Sequence, residues 1–216
     1  MNRNLLLGVA LLTLAPPATA GPRGTVPKAS ADRYLAHAEH DGTKIGAALM
    51  SPEEVRKVFG FDVDRSCLIV EVALYPPNAK ERKVSLGDFS LRVARANTAV
   101  KPSTATAVAT NWQQLFRVQR DVKAEPSAEV AVGPHNGHIE AQVGVETDYG
   151  APHSASEKDR ATVEAELTDK GLPEGTASSP VAGYLYFPIL SRKKHTALEL
   201  DYETNGSRVI LQLSQN

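Results

Sequence analysis

The sequence predicts a mainly β domain: a single antiparallel β-sandwich carrying two short helices. Three observations predict it. Apolar and polar residues alternate through Leu68 to Tyr75, Phe89 to Val93 and Leu198 to Leu213. Asn205-Gly206 separates two such runs, and this dipeptide favours a tight hairpin because both central residues of a type I′ turn need positive φ. Two stretches, 52–59 and 157–170, carry helix-start residues at their first positions.

In chain order, residues 1–20 read as a cleavable signal peptide. Arg3 supplies a positive start, Leu5 to Ala15 is uncharged and apolar, and Ala18-Thr19-Ala20 places small residues before a cut between Ala20 and Gly21. The apolar run is shorter than the roughly 20 residues that span a bilayer, and no later segment is apolar enough to cross one. The expected location is therefore outside the cytoplasm, periplasmic or extracellular. Residues 21–33 are rich in Pro, Gly and small side chains and read as a flexible N-terminal tail. The sandwich is expected over 34–216, with a long insertion at about 119–178.

Residues 34–50 show no clean period. Ser51, Pro52 and Glu54 then form a capping box with Pro at the first helical position, and Gly60 is suited to the helix end. Leu68 to Tyr75 has one fully apolar face and one mixed face, and Pro76-Pro77 ends it. Phe89, Leu91 and Val93 mark a half-buried strand. Residues 97–109, made mostly of Thr, Ala and Val, read as a weak edge strand, and Trp112, Leu115, Phe116 and Val118 as a segment covering the core. Val130 to Val145 reads as a hairpin around Gly133-Pro134-His135-Asn136-Gly137. Ser156 can cap a second helix over 157–170, with Glu166 and Lys170 paired four apart. Its apolar stripe is thin, which predicts a surface position. Val181 to Ile189 is apolar on both faces, as in a central strand covered on both sides.

The order of these pieces resembles the immunoglobulin-like domains of unknown function found in exported bacterial proteins, including many lipoproteins. The matching residues are Leu68 to Tyr75, Asp88-Phe89-Ser90-Leu91, Gly183-Tyr184-Leu185-Tyr186-Phe187 and Leu200-Asp201-Tyr202. The 119–178 segment stands where that family has a short connection. The resemblance implies an immunoglobulin-like sandwich with a non-enzymatic role in the envelope or outside the cell.

Composition bounds the function further. With 24 Lys and Arg against 25 Asp and Glu, the formal net charge is −1. That offers no electrostatic case for nucleic acid or an anionic membrane. Cys67 is the lone cysteine, so no intrachain disulfide can form. It is a buried apolar residue, a free thiol or half of a bridge between chains. No catalytic residues, cofactor or metal site are expected. His135 and His138, with Glu140 and His153 near in sequence, supply too few converging ligands for zinc, as do His37 and His40. Asp62 and Asp64 lack the glycine and distal Glu of a calcium loop.

The candidate binding surface comprises Tyr184 and Tyr186, two apart on one strand face, together with His135, His138 and His153. The leading expectation is a non-catalytic exported domain that binds or assembles with another envelope or extracellular protein. A small-molecule or carbohydrate-binding module is the second reading, resting on the tyrosines. A metal- or thiol-dependent enzyme is the third.

Overall fold

The computed structural model describes residues 23–77, 80–121, 155–190 and 197–213. They form a mainly β fold of three antiparallel sheets with three α-helices. Strands β1 (Ala36–His40), β2 (Thr43–Leu49), β3 (Leu68–Tyr75) and β7 (Val181–Phe187) make a four-stranded sheet in the order β1-β2-β3-β7. Strands β5 (Phe89–Val93), β8 (Leu198–Thr204) and β9 (Ser207–Leu213) make a three-stranded sheet, and β4 (Arg82–Val84) pairs with β6 (Gly175–Ala177).

The alternation in the sequence decides how these sheets meet. Side chains two apart share a strand face. Val70, Val72 and Leu74 of β3 therefore join Leu185 and Phe187 of β7 in one core with Phe89, Leu91, Leu198, Leu200 and Leu211 of the three-stranded sheet. Leu68 and Val209 pack at its margin. The outward face of the three-stranded sheet is polar. There Arg92 reaches Glu199 at 2.7 Å, and Arg208 reaches Asp201 at 3.0 Å.

The opposite face of the four-stranded sheet is covered by helices. Helix α1 (Pro52–Val58) starts on the capping box expected at Ser51 and Glu54, and ends at Phe59 with φ −106°, so Gly60 is not its left-handed cap. Helices α2 (Ala105–Asp121) and α3 (Glu157–Lys170) lie beside it. A second core joins Val55, Phe59, Val108, Trp112, Val163 and Leu167 of this layer to Ile69, Tyr184 and Tyr186 of the sheet. This explains why Val181 to Phe187 is apolar on both faces: each face has its own core.

Among the described residues the two short helices expected are three, the added one being the 17-residue α2, and four stretches differ from their reading in the sequence. Residues 34–50 hold the β1–β2 hairpin, turned by Asp41 (φ 50°) and Gly42 (φ 73°). The weak edge strand over 97–109 is limited to one bridge between Val100 and Leu91. From Ala105 the chain is helical, because the Thr104 hydroxyl caps the Ala107 N–H at 3.2 Å and Val108, Ala109 and Trp112 bury one face. Helix α3 spans the expected residues but is no surface element, since Val163 and Leu167 are buried. The segment read as a tail packs on the domain from Arg23 onward: Thr25 bridges Ala182, and Ala31 is buried in a 3-10 turn. The expected 130–145 hairpin, the signal peptide and most of the 119–178 insertion lie outside the described residues.

One core position is costly. Tyr202, 1% exposed, packs edge-on to His40 and tilted against Phe89, yet its hydroxyl has no hydrogen-bond partner among the described residues. An unmade buried hydrogen bond costs about 1–3 kcal/mol. Tyr202→Phe is therefore expected to raise stability by about 1 kcal/mol in urea unfolding. An equal loss would mean that the hydroxyl has a partner.

Candidate functional site

A cleft of about 710 Å³ opens on the helical side of the four-stranded sheet. Three segments distant in sequence build it: an N-terminal strap at Lys28 and Leu35, the β2 end with α1, and the start of β3.

The strap is pinned along its length. The N–H groups of Arg23 and Gly24 both donate to the Asp169 carbonyl at 2.9 Å, and Thr25 N–H donates to the Ala182 carbonyl at 2.8 Å. Farther along, two tyrosines clamp the Lys28 backbone. Tyr75 Oη donates to the Lys28 carbonyl at 2.7 Å, and Lys28 N–H donates to Tyr34 Oη at 3.3 Å. The Tyr34 ring lies against Gly46, where a Cβ would stand 2.3 Å from a ring carbon, so a larger residue there displaces the ring. Lys28 Nζ sits 4.3 Å from the centre of the same ring.

Helix α1 forms the facing wall. Glu54 accepts from both the Ser51 N–H and its hydroxyl at 2.8 Å, and Lys57 pairs with Glu53 at 2.9 Å. These charged groups are engaged in holding the helix.

The floor is the mixed face of β3, where Cys67, Ile69 and Glu71 follow two apart. Cys67 is 3% exposed, and its thiol donates to the Val63 carbonyl at 3.6 Å. Burial pushes it up to about 12, so the thiol stays protonated at neutral pH. Glu71 is half-buried. Burial raises its carboxyl above the ordinary range; the Lys28 charge and a hydrogen bond with Tyr34 oppose the rise and Glu54 adds to it. Cys67 is thus the buried apolar residue among the three alternatives. It is expected to resist thiol reagents in native protein near pH 8 and to react on unfolding. Rapid stoichiometric labelling of the native protein would contradict the buried placement.

Tyr184 and Tyr186 do share a face, but helices cover it. Tyr186 Oη donates to the Leu167 carbonyl at 2.8 Å, and both rings pack on Phe59. Burial pushes Tyr184 up to about 12, helped by the carboxylates of Glu71 and Glu54. A smaller cleft of about 260 Å³ reaches the two rings between Pro102, Thr106 and Leu167. His37 is exposed and His40 buried, since residues three apart on a strand point to opposite faces, so they do not converge.

No protein-family model, curated protein or solved structure matches the chain. His135, His138, His153, Ala20 and Gly21 lie outside the described residues. Among the described residues no group of three or more His, Cys, Asp and Glu is placed to hold a metal ion, and no helix is long and apolar enough to cross a membrane.

Neither Lys28 nor Glu71 stood out in the sequence as a site residue. The available signal was a single carboxylate inside the apolar run Leu68 to Tyr75.

Proposed function

We propose that this chain is an exported, non-catalytic binding domain: an immunoglobulin-like sandwich with a helical layer on one sheet, whose cleft between the strap and α1 holds a segment of another envelope or extracellular protein. The observation that carries the reading is the cleft itself, a large concavity whose rim groups are already fixed by the Lys28 clamp and the α1 cap. Preformed concave surfaces with a few placed polar groups are where ligands bind. The protonated, hydrogen-bonded Cys67 thiol supports binding over thiol chemistry. The burial of Tyr184 and Tyr186 withdraws the stacking surface on which the carbohydrate reading stood. The export part rests on the leader formed by Arg3, Leu5 to Ala15 and Ala18-Thr19-Ala20.

A photo-crosslinking residue at Leu35 or Arg56, on the cleft rim, is expected to capture an envelope protein in cells. The same residue at Ile210, on the outer face of the three-stranded sheet, is expected to capture none. Capture from Ile210 alone, or none from the rim, would reject the cleft as the partner site.

A further inference from the structure

We draw no further inference here: the strongest candidate, the cleft of about 260 Å³ between the start of α2, the end of α3 and β7, has a buried floor at Leu172, Tyr184 and Tyr186 and rim side chains at Thr106, Thr168 and Glu174 already bonded within the protein, so nothing in the structure shows what covers it.

Discussion

Gly183→Ala is expected to unfold the domain at a markedly lower temperature. Gly183 sits in the middle of β7, paired with Val72. After α3 the chain runs back against this strand: Gly171 bridges Tyr184, and Leu172 N–H donates to the Tyr184 carbonyl at 3.1 Å. A Cβ at 183 would stand 2.4 Å from Leu172 Cα and 2.5 Å from its nitrogen. Both are backbone atoms, so no side-chain rotation relieves the clash. Either the α3–β6 connection or β7 must move, and β7 carries both cores. Overpacking of this kind costs about 3 kcal/mol, which lowers the melting temperature of a domain this size by roughly 6–12 °C. A melting temperature within a degree of the parent would show that the connection does not approach β7 this closely.

Phe89→Ala is expected to be the most damaging change in the larger core. Phe89 is fully buried, pairs with Tyr202 across the ladder, and packs its ring 4.9 Å from that of Tyr202. It belongs to the residues through which the three-stranded sheet contacts the four-stranded one. Removing the ring loses its transfer free energy and leaves a cavity that strands fixed by hydrogen bonds cannot close, a loss of about 4 kcal/mol. Urea unfolding measures it directly. A loss below about 1 kcal/mol would place Phe89 at the margin. The comparison with Tyr202→Phe is informative, because the neighbouring ring is expected to stabilise when it loses only its hydroxyl.

The strands that pack in the larger core were legible because each presents one face to it. Leu68 to Tyr75, Phe89 to Val93 and the hairpin at Asn205 (φ 53°) and Gly206 (φ 74°) all follow from period and turn chemistry. The β1–β2 hairpin leaves a faint pattern because its buried positions include Ala36 and Ala47, too small to mark an apolar face, although Asp41-Gly42 is itself a hairpin dipeptide. Thr and Val at the start of helix α2 favour strands locally, and only contact with the sheet face made by Ile69 and Tyr186 decides for helix. The tyrosines were read on the correct common face, but sequence alone does not say that three helices lie over it. The cleft was illegible for a related reason. Lys28, the α1 residues and Glu71 are brought together only by the strap crossing the sheet, held by Tyr34 lying on Gly46.

Glu71 places a carboxylate in the half-buried face of β3, where burial outweighs the Lys28 charge and the Tyr34 hydrogen bond. The cost of that burial has a definite pH dependence. Its carboxyl is raised in the folded state, so the folded protein takes up the proton more readily than the unfolded chain. Stability associated with Glu71 is complete below the unfolded carboxyl range and is lost as pH rises through the raised folded value. Unfolding of the parent and of Glu71→Gln, compared from pH 7 down to about pH 4, tests this most directly. The variant is predicted to be the more stable at pH 7, with the difference shrinking as the parent carboxyl becomes protonated. A variant less stable at pH 7, or a difference that does not change with pH, would contradict burial as the dominant influence on Glu71.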